Sequence, residues 1–322
     1  VPSAARRPRR RSRNTDRFDD PVEAFGADDT AYDESHNFAI AAPPAPTGES
    51  PAAAAFVGDY QPYDDLGEGQ RWSSWDDLEA LCRGPEPRPH WLVTSSGAID
   101  TDLGILKTGK EADVYLVERR DPHLRDAVVM AAKRYRDAQH TNFRRSASYA
   151  EGRSVKRSRD QRALATNTSW GRTVASMEWA NAEWNALRRA WQIGLPVPYP
   201  VQIDGTELMM EWISHDGQTA PRLAQTRPDE ALLADYFEQL REAMAILAQD
   251  GWVHGDLSPY NILAAGPRLV IIDLPQILSL TGHDRGFEYL RRDCTNVCRW
   301  FTARGLAADP EELYDDLLRH AF

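Results

Sequence analysis

Twenty residues near the C-terminal end constrain this chain more than any other stretch. They open with His254-Gly255-Asp256-Leu257-Ser258-Pro259-Tyr260-Asn261 and close on Ile271-Ile272-Asp273. Asp256 and Asn261 are five residues apart in a segment of turn formers, and Asp273 ends a short run of β-branched residues. Turn chemistry alone accounts for Asp, Ser, Pro and Asn in a loop. It does not account for an acid at the end of a strand twelve residues after Asn261. A base-competent carboxylate with two hard oxygen ligands beside it suits phosphoryl transfer, which needs positioning and charge neutralisation more than covalent help. On this reading Asp256 accepts a hydroxyl or water proton, and Asn261 and Asp273 ligate a metal.

Lysine usage singles out a second region. Of 38 basic residues 34 are arginine, and three of the four lysines (Lys107, Lys110, Lys133; the fourth is Lys156) fall within 27 positions. Where arginine serves as the generic cation, a retained lysine points to a chemical requirement. Lys107-Thr108-Gly109-Lys110-Glu111-Ala112-Asp113-Val114-Tyr115 lies between two strand-like runs, where backbone N–H groups can cover phosphates and Gly109 permits close approach. It is not a G-x-x-x-x-G-K-[ST] loop opening a helix, and a plain hairpin turn is the competing reading. Lys133 ends the apolar run Val128–Ala132. A snorkelling edge lysine is the alternative there; a phosphate-binding lysine fixed by an acid is the sharper one, with Glu183 as that acid.

Periodicity supplies the frame. Residues 1–70 are expected to be a disordered tail, with seven arginines from Arg6 to Arg17, acids from Asp16 to Glu34 and a Pro/Ala-rich passage. Residues 71–98 read as a short helical extension centred on 74–81, and residues 99–213 as strands plus one helix. That helix, Glu178–Trp191, carries Ala180, Trp184, Leu187 and Trp191 on one face. The polar stretch 134–170, with eight arginines and one lysine, interrupts the strand region as a flexible loop. Residues 214–322 read as mainly helical, led by an amphipathic helix over Asp229–Gln249. Strands followed by helices predict an α+β protein of two lobes.

Composition removes other classes. The formal net charge of −11 disfavours a general nucleic-acid coat, although the basic stretches leave a local RNA contact open. No apolar run approaches the ~20 residues that span a bilayer, and the N-terminal arginines precede no apolar stretch, so a cytoplasmic protein without a membrane partner is expected. Three cysteines do not make a disulfide scaffold. Cys294 and Cys298, four apart, read as small core residues rather than metal ligands, and the ten tryptophans as packing.

The phosphate loop, strand lysine, helix glutamate, Asp/Asn loop and strand-end Asp follow protein-kinase order. Thr108-Gly109-Lys110-Glu111-Ala112-Asp113-Val114-Tyr115 resembles the S/T-G-K-E-A-x-V-Y loop of the RIO family of atypical serine/threonine kinases. Ala132-Lys133-Arg134-Tyr135 resembles its nucleotide-lysine segment, and His254–Leu263 its H-x-D-L-S-x-x-N-[IM]-L loop. Ile271–Gln276 resembles its I-I-D-x-x-Q, and Phe287–Phe301 its closing F-L-R-R-D-x-x-N-V helix. The resemblance runs from Ile99 to Gly305, about two-thirds of the chain. It departs from ordinary protein kinases in lacking G-x-G-x-x-G, in reading Asp273-Leu274-Pro275 for D-F-G, and in placing Ser258 where those enzymes have a phosphate-contacting lysine.

The resemblance implies a bilobal protein-kinase-like fold of the minimal RIO type, binding ATP with Mg2+, or Mn2+ in its place. Asp256 would be the base, and Asn261 and Asp273 the metal ligands. Asp273 would also be the residue able to carry the phosphoryl group as an aspartyl-phosphate in an ATPase cycle. Thr108, Gly109, Lys110, Glu111, Ala112, Lys133 and Glu183 would serve the phosphates, with Met210 behind the adenine and backbone groups of Glu211 and Ile213 bonding it. The acceptor would be a protein serine, the chain itself or water, and a ribosomal or RNA partner is the further expectation. A small-molecule phosphotransferase of the aminoglycoside/choline kinase type, which shares H-G-D-x-x-x-x-N, and an ATP-gated binding module are the rival readings.

Overall fold

Strand-forming runs rich in Val, Ile and Tyr gather into one sheet, described here from a computed structural model that covers residues 66–123, 126–136, 169–274 and 277–321. Six antiparallel strands run in the order β1-β2-β3-β4-β6-β5. They are β1 (Gln70–Trp72), β2 (Ile99–Thr108), β3 (Ala112–Arg120), β4 (Ala127–Tyr135), β5 (Pro200–Asp204) and β6 (Glu207–Glu211). Between β4 and β5 the helix α1 (Ser169–Gln192) lies on the sheet. Its predicted stripe is its buried stripe: Ala180, Trp184 and Leu187 are all under 4% exposed, and Trp191 packs beside Tyr199. Trp184 and Ala180 meet Ile203 and Leu208 of the sheet, fixing which way Glu183, one residue earlier, points.

The second half is built on helices. The short pairs β7 (Ser214–His215) and β8 (Gln218–Thr219) lead into α2 (Glu230–Gln249). Asp229 caps this helix by accepting from Leu232 N at 2.9 Å. Leu233, Tyr236, Leu240, Met244 and Leu247 form its buried face. Then come β9 (Trp252–Val253), β10 (Ile262–Ala265), β11 (Arg268–Ile271), β12 (Leu278–Ser279), α3 (Gly286–Thr302) and α4 (Pro310–Ala321). One large apolar cluster joins α2, α3, α4 and the strands beneath the Asp256 loop, and it includes Cys294 and Cys298. Thus the fold is α+β in two lobes, a sheet with one helix and a helical half, as the order of elements predicts. Met210, at the end of β6, packs against the apolar clusters of both.

Three local expectations change. The helix expected over 74–81 is absent: two single 3-10 turns, Trp75–Asp77 and Ala80–Cys82, are separated by extended backbone at Leu78 and Glu79. Trp75 alone is drawn into the core, while Leu81 stays 70% exposed, so no apolar stripe rewards a continuous helix. Instead Gly84 N donates to Val201 O at 2.8 Å, tying the segment to the edge of the sheet. Arg134 and Tyr135 belong to β4 and not to the flexible loop expected from Arg134. Arg134 is held by Glu207 at 2.6 Å and by both oxygens of Asp102 at 2.7 and 3.0 Å. Helix α1 begins nine residues before the predicted Glu178, in a stretch where Trp170, Val174 and Met177 already stand at helical spacing around Gly171. The tail expected over 1–70 falls on residues outside the described ones up to position 65, and most of the 134–170 loop, with its expected RNA contact, lies outside them as well. No described helix is long and apolar enough to cross a membrane.

Candidate active site

The loop after β9 is shaped by a glycine and a buried acid. Gly255 has φ +82°, a left-handed backbone that a side chain would strain. Its N–H and that of Leu257 donate to the two carboxylate oxygens of Asp293, both at 2.9 Å, from beneath the loop on α3. Asp293 is 1% exposed, and burial pushes its carboxyl up to about 7 against the pull of those two N–H groups and of Arg292. Arg292, next in the helix, donates to the Gly255 carbonyl. The loop's two backbone polarities are therefore satisfied by neighbouring residues of one helix.

The same loop is laced to the Asp273 strand. Asn261 Nδ2 donates to the Asp256 carbonyl at 2.9 Å, and the Asn261 carbonyl accepts from Ile272 N at 2.9 Å. Buried His254 places Nε2 3.2 Å from the Ile272 carbonyl, and burial holds its pKa below the ordinary imidazole value. Donating to that carbonyl, the ring orients the loop. Asp273 itself has φ +66°. Aspartate tolerates this region better than most residues, but the conformation is uncommon and turns the carboxylate out of the strand. Burial raises the Asp256 carboxyl, with Arg292 and His254 opposing. Burial also acts upward on Asp273, yet Lys133 and His254 outweigh it and hold this carboxyl below its usual range.

Above the loop, the sheet presents its lysine. Lys133 Nζ lies 2.9 and 2.7 Å from the Glu183 oxygens and 3.3 Å from Asp273 Oδ1. The Tyr135 hydroxyl donates to Glu183 as well, and its ring lies 5.3 Å from the Lys133 ammonium. Burial works against the charge on Lys133, but the carboxylates of Glu183 and Asp273 more than offset it and hold the pKa above the ordinary lysine value. Beyond β2, Gly109 N donates to Ala112 O at 3.0 Å, and a Cβ on Gly109 would sit 2.6 Å from that oxygen, so this tight turn excludes any side chain. Ala112 is buried, whereas Thr108 and Lys110 are exposed at the turn. Burial raises the Glu111 carboxyl, and Asp273, Lys133 and Lys110 are the charges it senses, which places it beside the lysine cluster. At the junction of the two halves Glu211 N donates to Tyr199 O at 2.9 Å and the Ile213 carbonyl accepts from Ala220 N at 3.0 Å.

The fold thus brings Lys133, Glu183 and Asp273 into direct contact and ties Asp256 to Asn261 through backbone. Thr108, Gly109, Lys110, Glu111 and Ala112 form the turn at the end of the same sheet, and Met210, Glu211 and Ile213 lie at the junction of the halves. Sequence reasoning did not single out Asp293, Arg292 or Tyr135. A signal for Asp293 existed: it interrupts the apolar stripe Leu290, Cys294, Val297 and Phe301 of α3, and an acid on a buried face needs donors. Tyr135 gave no such signal, because a tyrosine ending a strand is ordinary.

A sheet with a paired lysine, a helix glutamate, an Asp/Asn loop and a strand-end Asp facing that lysine define a protein-kinase-like phosphotransferase. Comparison with known proteins narrows the class. A family model described as the RIO domain matches residues 113–313. The RIO-type serine/threonine-protein kinase Rio1 of Haloferax volcanii is 35% identical over 225 residues, covering 70% of this chain and 71% of its own length. Rio1 of Methanocaldococcus jannaschii is 30% identical over 213 residues, covering 66% of this chain and 67% of its own. The chain belongs to the RIO family. It spans only 27% of the human serine/threonine-protein kinase RIO3, which is 33% identical over 140 residues and 42% of this chain. Among solved structures, the Rio2 kinase of Chaetomium thermophilum in its ADP/Mg2+-phosphoaspartate complex superposes with a TM-score of 0.49 at 21% identity, over 68% of this chain and 62% of that one. The small-molecule phosphotransferase alternative finds no support in these matches.

Proposed function

We propose that this RIO-family chain binds ATP between its sheet and its helical half and moves the γ-phosphoryl group to a serine or threonine hydroxyl of a protein, to itself, or through Asp273 to water. The observation that carries the reading is Lys133 bonded at once to Glu183 on α1 and Asp273 beyond β11, because this single ammonium joins both halves where phosphates would lie. The adenine would lie beside Met210. The Glu211 N–H and the Ile213 carbonyl are already engaged, so the Glu211 carbonyl and the Ile213 N–H are the groups a base would use.

Asn261 fits a cation by chemistry. Its nitrogen end is occupied by the Asp256 carbonyl, which leaves its oxygen beside the strand that carries Asp273. Those two residues would hold Mg2+, or Mn2+ in its place, and the ion would neutralise phosphate charge during transfer. Asp256 accepts the proton of the attacking hydroxyl while the bond from the γ-phosphorus to the bridging oxygen breaks and ADP leaves. Asp273 can replace the hydroxyl as nucleophile, forming an acyl phosphate that water then cleaves to free phosphate and the restored carboxylate. A cytoplasmic location is part of the same proposal.

The fate of γ-labelled ATP tests this reading, with wild type, Asp256→Ala and Asp273→Asn compared. Acid-stable, hydroxylamine-resistant label on protein, lost in Asp256→Ala, is the result expected of hydroxyl transfer. Hydroxylamine-labile label lost in Asp273→Asn, with phosphate released, is the result expected of the ATPase route. Absence of ATP binding by the wild type would overturn the proposal.

A further inference from the structure

Between His254 and Asn261 the Asp256 loop contains no lysine or arginine. Beyond Lys133, Lys110 and a bound Mg2+, any further side-chain cation that meets the charge of a nucleotide's phosphates therefore comes from outside that loop. Two stand on opposite sides. Lys107 on β2 pairs with Val114 on β3, and Val114 pairs with Lys133 on β4. Residues directly opposite one another in an antiparallel sheet share a face, so Lys107 and Lys133 project from the same side of it. Arg222 belongs to the helical half: it bridges to Leu263 on β10, two residues beyond Asn261, and Ala264 N donates to the neighbouring Pro221 carbonyl at 2.8 Å.

Lys107 senses the Arg222 charge. Burial lowers the Lys107 pKa to about 8, Arg222 and Lys133 lower it too, and Asp273 opposes them. Unlike Lys133, with its two carboxylates, neither Lys107 nor Arg222 forms an ion pair among the described residues. Other basic side chains of the sheet are neutralised directly: Arg119 by Asp100, Arg134 by Asp102 and Glu207, Arg136 by Asp113. Like charges left facing each other from two halves oppose their approach, and a polyanion between them reverses the sign.

We propose that Lys107 and Arg222 form a two-sided clamp for the polyphosphate of the nucleotide, one arm on each half, which selects ligands by phosphate charge. This inference rests on the reading of the site as an ATP site. It goes beyond that reading in giving the side chains of Lys107 and Arg222 a role, and in predicting that nucleoside and nucleotide are told apart by them.

Calorimetric titration of the full chain with ATP and with adenosine tests the clamp in wild type, Lys107→Met, Arg222→Met and Lys107→Arg. Each methionine variant should lose about tenfold in ATP affinity while binding adenosine like the wild type. Lys107→Arg, which keeps the charge, should retain ATP affinity within about threefold. Raising the salt should weaken ATP binding less in the methionine variants than in the wild type. Equal losses for ATP and adenosine would show a merely structural role and overturn the clamp, as would methionine variants that bind ATP like the wild type. A wild type that binds neither ligand would overturn the ATP reading itself.

Discussion

The two halves of the site are held by opposite means. On the sheet side, Lys133 is fixed by side-chain charge: Glu183 at 2.7 Å, Asp273 at 3.3 Å, and Tyr135 bonded to the same glutamate. On the helical side, the Asp256 loop is fixed by backbone, through two N–H groups on buried Asp293 and one carbonyl on Arg292. Charged side chains can exchange partners when a ligand brings its own charge. Backbone groups anchored on a buried carboxylate cannot exchange without leaving polar atoms unpaired. On the proposed function, the difference would divide the labour: the sheet side would adapt to phosphates, and the loop side would keep Asp256 in place.

Breaking the loop side at its chemical group should give the largest effect. Asp256→Ala is expected to lower phosphoryl transfer by about 10^3-fold, measured in single turnover, with ATP still bound. Removing the anchor comes next. Asp293→Ala strands two buried N–H groups and should cost about 3 kcal/mol of stability in denaturant titration, with activity lost in step. Breaking the sheet side, Lys133→Met should reduce kcat/KM for ATP by about a hundredfold, mostly through KM, because it removes two charge-assisted contacts and leaves the fold standing.

A pH titration sharpens the contrast. The folded-state pKa of Asp293 is raised from its unfolded value near 4 to about 7. The native state therefore binds more protons than the unfolded one across that interval, and the contribution of this group is full below about 4 and lost as pH rises through about 7. Asp293→Asn should flatten that slope in thermal melts recorded from pH 4 to 8. The smallest effect is expected from Tyr135→Phe, about 1 kcal/mol or less, because Lys133 still holds Glu183 from its other side.

What the sequence disclosed follows the same division. Residues whose chemistry is unusual for their setting were legible: a lysine ending an apolar strand, an Asp closing Ile271-Ile272, a histidine before a glycine. Glu183 was legible as the partner of Lys133, because the stripe of α1 fixes its orientation. The α+β order of elements and the buried faces of α1 and α2 followed from period alone. Asp293 escaped because its role depends on a tertiary contact 38 residues away from Gly255. The 74–81 segment misled because Ser74 followed by Asp76 and Asp77 resembles a capped helix start, which no apolar partner rewards. Register, which sets Lys107 in one row with Lys133, depends on the bulge between Ile105 and Lys107, and no residue type announces that shift.

Parallel measurement of ATP dissociation constants and single-turnover transfer rates in Lys133→Met and Asp256→Ala addresses the division of labour most directly. The account predicts that Lys133→Met loses ATP affinity, whereas Asp256→Ala binds ATP like the wild type and fails to transfer. Equal loss of ATP affinity in Asp256→Ala, or full ATP affinity in Lys133→Met, would contradict it.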